Sequence, residues 1–273
     1  MNRYRGRTLA LELVMILAGL LFFFPVYVLV NLSLKSPGDS SSPLEPARDI
    51  TFANYSDAWI QGGLGGALAN SALITIGSVT LIVVISALAA YPLARVTQRW
   101  SKLAFAGFML GLLVPMQLAM IPLYTTMRDL GLLGSLWALV IYYAGLQVPF
   151  SVFLYVGFLR TVPQEYEEAA AIDGCSTFAT FRRVVFPLLR PVTGTVVILN
   201  VLNVWNDFLT PLLYLSGSDR QTVPVSLFGF VGQYVSQWNL VFAGLVISIA
   251  PILLAYFLMQ RTIIKGFASG LKG

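Results

Sequence analysis

The chain has 273 residues, of which 57% are hydrophobic and 11% charged, and its formal net charge is +5. Soluble domains carry about 25% charged residues, so a soluble fold of this size could not bury so much apolar surface. Disorder is also excluded, because disordered chains combine low hydrophobicity with high charge. The composition therefore predicts a protein that is partly covered by a lipid bilayer.

The first predicted element is an apolar helix from Thr8 to Leu34, long enough to cross a membrane, which takes about 20 apolar residues. A secretory signal peptide is the alternative, because basic residues precede the segment. The apolar run is long for a signal peptide, and no cleavage site of the A-x-A type follows Val30. We therefore predict a membrane anchor.

A polar segment, Lys35 to Asp57, follows this helix and is predicted to be an exposed loop. Beyond it, apolar runs predict five more membrane-spanning helices. The third and fourth of the six spans contain Pro115, Pro122 and Pro149, and membrane helices tolerate such internal prolines. The predicted bounds are Ala67–Leu93, Leu103–Met127, Leu136–Leu159, Leu188–Leu215 and Leu240–Gln260.

The distribution of basic residues tests this layout, because cytoplasmic loops are enriched in Lys and Arg. With a cytoplasmic N-terminus and six spans, 13 of the 17 basic residues fall on the inside. The four on the outside are Lys35, Arg48, Arg128 and Arg220. The sequence thus predicts an all-α membrane protein with six transmembrane helices and both termini in the cytoplasm.

Three parts are predicted along the chain. Residues 1–66 form an N-terminal helix with an external loop, residues 67–260 form the membrane core, and residues 261–273 form a cytoplasmic tail.

The residue types needed for most catalysis are missing from the sequence. Histidine is absent, Cys175 is the single cysteine, and there is no G-x-x-x-x-G-K-[ST] nucleotide loop. We therefore predict neither a catalytic nor a metal site, and no enzymatic activity. Any transport must draw its energy from a gradient or from another protein.

The segment 163–187 connects the fourth and fifth predicted spans on the cytoplasmic side. Pro163, followed by acidic residues, is typical of a helix start, and Gly174 of a helix end. Ser176 could cap a second short helix that ends near Pro187. The segment therefore predicts two short helices joined by a sharp turn; an ordinary capped surface helix is the simpler interpretation.

The spacing within this segment resembles the "EAA" loop of ABC importer permeases. The matching residues are Glu168-Ala169-Ala170, then Gly174, and then Val184-x-Phe186-Pro187. The family pattern ends Ile-x-Leu-Pro, so this chain has mild apolar exchanges at two places.

The resemblance implies a type I ABC importer permease fold in which this loop is the coupling helix that docks on an ATP-hydrolysing subunit. Small residues would allow close approach, and Glu168 would offer a carboxylate to a basic group of the partner. The residues implied in docking are Glu168, Ala169, Ala170, Asp173, Gly174, Val184, Phe186 and Pro187.

Two further stretches are similar to permeases of carbohydrate importers of the maltose type, specifically the smaller permease subunit. One is Trp205-Asn206-Asp207-Phe208-Leu209-x-Pro211-Leu212, and the other is the C-terminal tail from Gly266 to Gly273, which is one residue shorter than the family pattern. In the family the tail reaches between the ATPase subunits, which implies contacts by Gly270 and Lys272. A frayed terminus is the alternative.

Polar residues inside the predicted spans are candidates for a translocation path or for hydrogen bonds between helices. Asp207 lies near the outer end of the fifth span, where snorkelling or helix capping is as reasonable as a transport role. The other candidates, of which the asparagines favour inter-helix bonding, are Gln117, Gln147, Asn200, Asn203 and Asn206.

The sequence therefore predicts the permease subunit of an ATP-driven importer for a disaccharide or oligosaccharide, in the cell membrane of a prokaryote. The resemblance implies a second, different permease subunit, two copies of an ATPase that hold ATP and Mg, an external sugar-binding protein and surrounding lipids, without nucleic acid. A gradient-driven transporter, or a permease for another solute, is the alternative.

Overall fold

A computed structural model describes residues 6–39, 41–231 and 237–270. Within these ranges the regular elements are helices, apart from an isolated bridge between Lys35 and Ile50. In chain order they are α1 (Gly6–Leu34), α2 (Ala53–Gln61), α3 (Leu64–Arg95), α4 (Arg99–Leu113), α5 (Met116–Asp129), α6 (Leu136–Leu159), α7 (Glu165–Ile172), α8 (Thr177–Thr180), a π-helical turn (Phe181–Val185), α9 (Phe186–Leu188), α10 (Arg190–Asn206), α11 (Leu209–Tyr214), α12 (Val223–Phe228) and α13 (Trp238–Gly270).

The chain divides into two compact units. The first comprises Met1–Gly65 with Val225–Pro251, and the second comprises Gly66–Pro224 with Ile252–Gly273.

In the first unit, helix α1 contributes its C-terminal end to the packing, while the apolar window of its predicted span is 0% buried. Asn31, near that end, organises the following loop. Its Nδ2 donates to the carbonyl oxygens of Pro43 and Glu45 at 2.9 and 2.8 Å, and its Oδ1 accepts from the Ala47 N–H at 2.9 Å. One amide side chain thus satisfies three backbone groups of a segment without regular structure.

The segment predicted to be an exposed loop is more ordered than the sequence indicates. Lys35 is only 3% exposed, and its ammonium donates to Ser41 Oγ at 2.6 Å and to the Ser42 carbonyl at 2.7 Å. The end of the segment is helical, because α2 begins at Ala53. The exposed-loop prediction was wrong at both ends, where local hydrogen bonds replace water as partner of the polar groups.

The second unit is built around α6, against which α4 and α10 pack. Helix α6 has the predicted bounds and is apolar on all sides; 56% of its apolar window is buried by neighbours, while Trp137, Ile141 and Phe153 are exposed. Its Tyr155 is fully buried and donates a hydrogen bond to Thr193 Oγ1 of α10 at 3.1 Å. This bond and the bond between Asn200 and Ser151 are polar contacts in a largely apolar helix interface.

Two predicted spans are broken rather than continuous. The third predicted span divides into α4 and α5, whose axes differ by 103°. The break lies at Val114, which is extended because the proline that follows disfavours the helical conformation. The fifth predicted span, Leu188–Leu215, is interrupted between the end of α10 at Asn206 and the start of α11 at Leu209. Before this span, the helical run Thr177–Leu188 of the predicted cytoplasmic segment bends by 73° into α10 near Pro191, whose missing N–H removes a helix hydrogen bond.

The number of membrane spans remains a prediction. Among the described residues, three helices are long and apolar enough to cross a bilayer, or up to five if each bent pair forms one span. Trp238–Leu254 is a shorter apolar segment of α13.

Substituting Asn54 with alanine should destabilise the first unit. The fully buried Asn54 amide donates to the Ser33 and Lys35 carbonyls at 2.8 Å each and accepts from Asn239 at 2.8 Å. Stranding these groups should cost about 2–3 kcal/mol. We expect the thermal unfolding midpoint of the detergent-purified protein to fall by several degrees. The control is Ser56→Ala, which removes an exposed local bond; equal midpoints for the two variants would contradict the prediction.

Candidate functional site

Helix α7 is short, and its first turn carries Glu165, Glu167 and Glu168. Acidic side chains are favourable there because the unpaired N–H groups make the helix N-terminus positive. The helix begins two residues later than the predicted start at Pro163, after Gln164, whose carbonyl accepts from the Glu167 and Glu168 N–H groups at 2.8 and 3.1 Å.

The C-terminus of α7 is closed at Gly174. The Cys175 N–H donates to the Ala170 carbonyl at 2.9 Å, and the Gly174 N–H donates to the Ala171 carbonyl at 3.0 Å. This pair of bonds defines a Schellman motif, in which the residue after the helix adopts the left-handed conformation. Gly174 has a φ of +83°, which glycine adopts without steric cost.

The second arm begins at Ser176, whose Oγ accepts from the Ala179 N–H at 3.4 Å and caps α8. Helix α8 continues through the π-helical turn into α9, so the arm runs to Leu188 as predicted. A π-helical turn inserts one extra residue per turn and is frequent at functional sites. We call residues Glu165–Leu188 the coupling segment; α7 is its first arm, and residues 176–188 are its second arm.

The residues implied in docking differ in exposure within this segment. Glu168, Ala169, Asp173 and Gly174 are exposed, whereas Ala170 is 7% exposed. The remaining members are half-buried: Val184, Phe186 and Pro187. The first arm therefore presents its acidic and small residues outward, while the second arm turns toward the core of the unit.

Besides Leu188 at its end, which is 36% exposed, three large apolar side chains on the coupling segment are exposed, and the sequence prediction missed them. The exposed fractions are 53% for Tyr166, 86% for Ile172 and 64% for Phe178. Scattered apolar residues are normal on protein surfaces; three of this size on one short segment make it a candidate interaction site. The sequence offered one indication of their exposure, which is that they lie in a segment otherwise rich in polar and small residues.

Glu167 is also a residue that the sequence prediction missed. Its Oε1 accepts from Arg95 Nε at 2.8 Å, and its Oε2 accepts from the Tyr91 hydroxyl at 3.0 Å. The two charged side chains are 12% and 15% exposed. Glu167 thus ties the coupling segment to the last turns of α3, while the neighbouring Glu168 faces solvent.

Asp207 lies at the break between α10 and α11. Its Oδ1 accepts from the Thr210 N–H at 3.3 Å, and its Oδ2 accepts from the Tyr143 hydroxyl at 3.0 Å. A carboxylate in this position satisfies a free N–H at the start of α11.

The other polar candidates lie in different environments. Asn200 is 2% exposed and donates to Ser151 Oγ of α6 at 3.2 Å and to the Val196 carbonyl at 2.7 Å. Asn203 and Asn206 are exposed on α10. The structure does not gather the candidates into one cluster of hydrogen bonds among the described residues.

The remaining candidates are less well defined. Gln147 is half-buried on α6, and Gln117 belongs to α5, although its side chain lies outside the described residues. Gly270 ends α13, while Lys272 lies outside the described residues. Within the described ranges, no group of three His, Cys, Asp or Glu residues is placed to hold a metal ion.

Long apolar helices define a helical membrane protein, and the coupling segment is an exposed, capped element of it. A protein-family model for "binding-protein-dependent transport system inner membrane component" matches residues 82–268, which is more than half of the chain. The chain belongs to this family of ABC transporter permeases.

Curated relatives specify sugar transport. The chain is 35% identical over 269 residues to the melibiose/raffinose/stachyose import permease protein MelC of Bacillus subtilis, covering 97% of this chain and 98% of that protein. It is 35% identical over 256 residues to the probable starch degradation products transport system permease protein AmyC of Thermoanaerobacterium thermosulfurigenes, covering 93% of each.

A solved structure shares the fold. It is a chain of a bacterial ABC transporter involved in the import of the acidic polysaccharide alginate, with a TM-score of 0.80 and 22% identity. The match covers 96% of this chain and 100% of that chain.

Replacing Gly174 with alanine should destabilise the coupling segment although there is room for the methyl group. No atom lies within 4 Å of a Cβ built at Gly174, so the cost is the left-handed backbone alone, about 1–2 kcal/mol. We expect faster limited proteolysis between α7 and α8.

The control is Gly157→Ala, which has equally open space inside α6. It should leave the proteolysis rate of the segment unchanged, because alanine favours a helix. Equal protection of Gly174→Ala and the parent protein would show that the positive φ carries no cost.

Proposed function

We propose that this chain is the membrane-spanning permease subunit of an ATP-driven importer for a disaccharide or oligosaccharide. The family is that of binding-protein-dependent transport systems, and the named substrates of MelC are small oligosaccharides. In this proposal the chain catalyses no reaction itself. ATP and Mg are held by two copies of a partner ATPase, and an external binding protein delivers the sugar.

The proposed topology has six transmembrane helices with both termini in the cytoplasm of a prokaryotic cell. The bent pair α4–α5 and the interrupted run α10–α11 each form one span, and α13 supplies the sixth. The bias of basic residues supports this arrangement, since 13 of 17 would face the cytoplasm. The anchor and external loop of residues 1–66, the core of residues 67–260 and the tail of residues 261–273 keep their predicted roles.

One observation carries the proposed docking role, namely the combination of exposed apolar and acidic side chains on the coupling segment. Ile172 and Phe178 would enter an apolar groove of the ATPase, and Glu168 would pair with a basic residue at its rim. Ala169 permits close approach of the two backbones. Asp173 and Gly174 form the exposed turn that fixes the angle between the arms.

The second arm of the docking site has a supporting role in this proposal. Val184, Phe186 and Pro187 are half-buried and hold the arm against the unit. Gly270 and Lys272 would make an additional contact with the ATPase through the tail.

The proposed sugar path runs along the exposed polar side chains of α10, Asn203 and Asn206. An amide on an otherwise apolar membrane helix is unfavourable toward lipid, so it is expected to face a cavity or a second permease subunit. Gln117 and Gln147 are further candidates for this path. Asn200 and Asp207 bond to side chains of α6 and would stabilise the path rather than line it. In contrast, Asn206 bonds the Leu202 carbonyl of its own helix at 2.8 Å and stays exposed.

Reversing the charge at Glu168 should abolish uptake without preventing membrane insertion. In Glu168→Lys, the introduced ammonium would face a basic group of the ATPase. We expect the tagged permease to reach the membrane fraction in normal amount, and the co-purified ATPase to fall at least 10-fold.

The matched control is Asp49→Lys, an equal charge reversal at an exposed residue of the loop after α1. It should retain the ATPase. Normal ATPase association of Glu168→Lys would exclude the docking role. Sugar transport by the purified chain alone, in liposomes without ATP, would instead establish a gradient-driven carrier.

A further inference from the structure

The end of α3 holds both arms of the coupling segment through two side chains one helical turn apart, Tyr91 and Arg95. We propose that these side chains form a clamp that transmits movement of the coupling segment to α3, and thereby couples ATP hydrolysis to opening of the sugar path. The clamp rests on the proposed function, because it requires an ATPase that binds the coupling segment and moves it.

Arg95 bonds to the first arm and to the chain just before it. Its Nε donates to Glu167 Oε1 at 2.8 Å, and its Nη2 donates to the Val162 carbonyl at 2.9 Å. The planar guanidinium fixes both directions at once, which an ammonium group could not do. The beginning of α7 and the chain that leads into it are therefore attached to α3 as one piece.

Tyr91 contacts both arms. Its hydroxyl donates to Glu167 Oε2 at 3.0 Å, and its ring lies 5.5 Å from the ring of Phe181 in the π-helical turn. Phe181 is buried and lies 6.0 Å from the ring of Phe186. A movement of either arm would therefore displace Tyr91.

The pair Arg95–Glu167 is nearly buried, unlike the two other ion pairs among the described residues. Its side chains are 12% and 15% exposed, compared with 78% and 54% for Arg48–Glu45 and 59% and 67% for Arg128–Asp129. Exposed ion pairs contribute little, whereas opening a buried pair leaves an unpaired charge out of water. Of these three pairs, Arg95–Glu167 is therefore the one expected to stay closed when the coupling segment moves.

Helix α3 is suited to carry the movement. Its 32 residues form one continuous helix about 48 Å long, enough to cross the bilayer, with Pro92 in its last turns beside Tyr91. In contrast, α10 is connected to the coupling segment through a 73° bend. Helix α3 also shares an apolar groove with α10, lined on one side by Thr80 and on the other by Val201. Displacement of α3 would thus alter the surface next to the proposed path.

The test measures how many sugar molecules are transported per ATP hydrolysed by the complete transporter in proteoliposomes. In Glu167→Gln, the carboxylate that joins Arg95 and Tyr91 is replaced by a neutral amide. We expect the ratio to fall at least 10-fold, while the amount of co-purified ATPase and its hydrolysis rate stay within 2-fold of the parent.

Further variants distinguish a clamp that transmits movement from an ion pair that only stabilises the fold. Tyr91→Phe keeps the ring contact with Phe181 and should lower the ratio less than Glu167→Gln. The exchanged pair Arg95→Glu with Glu167→Arg should recover at least 3-fold over either single change. The matched control is Asp129→Asn, which neutralises an acid in an exposed pair and should leave the ratio unchanged.

Three results would overturn the clamp. An unchanged ratio in Glu167→Gln would show that the pair carries no movement. Loss of the variant from the membrane, or loss of its ATPase, would show that the pair only supports the fold or the docking surface. Absence of ATP-dependent transport by the parent complex would remove the proposed function itself, and this failure is visible before any variant is made.

Discussion

The absence of hydrogen-bonding partners in hydrocarbon is the constraint on which the structure of this chain depends. Each backbone N–H and C=O inside a bilayer must be satisfied within the protein, so long helices are favoured and breaks require compensation. The break after α10 shows the compensation. Asp207 accepts the Thr210 N–H at 3.3 Å, and the Tyr143 hydroxyl shares the same carboxylate at 3.0 Å. The interruption is tolerated because the Asp207 carboxylate accepts the hydrogen bond from a backbone N–H that has no helical partner.

The same constraint determines what polar side chains do in the helices of the second unit. Thr193 bonds the Leu189 carbonyl at 2.9 Å, and Asn200 bonds the Val196 carbonyl at 2.7 Å. Each uses a carbonyl one turn earlier in its own helix and then contacts α6 with its remaining capacity. Thr193 joins the helices with its hydroxyl satisfied, whereas the buried Asn200 Oδ1 has no hydrogen-bond partner among the described residues. Asn203 is different because it is exposed, and an exposed amide on an apolar membrane helix is unfavourable toward lipid.

The sequence predicted features that depend on local pattern and missed those that depend on distant contacts. The bounds of α6, the stop at Gly174 and the cap at Ser176 follow from apolar length, backbone freedom and a short polar side chain, all of which are local. Glu167 was missed because its partner Arg95 lies 72 residues away. Several acids occur near it, and nothing in the spacing distinguishes the one that faces α3. Charge patterns place residues on a side of the membrane but do not pair them.

The contrast between Glu167 and Glu168 explains how one short helix can be fixed to α3 on one face and exposed for binding on another. Successive residues of a helix point about 100° apart, so adjacent acids on α7 face different surroundings. Glu167 is held by α3 at 2.8 Å, and Glu168 is exposed. Because the first arm is already fixed, binding of a partner would require little ordering of the backbone, and less of the contact energy would be lost to entropy. A segment fixed in this way would also pass on a displacement instead of absorbing it, which is the property that a coupling element requires.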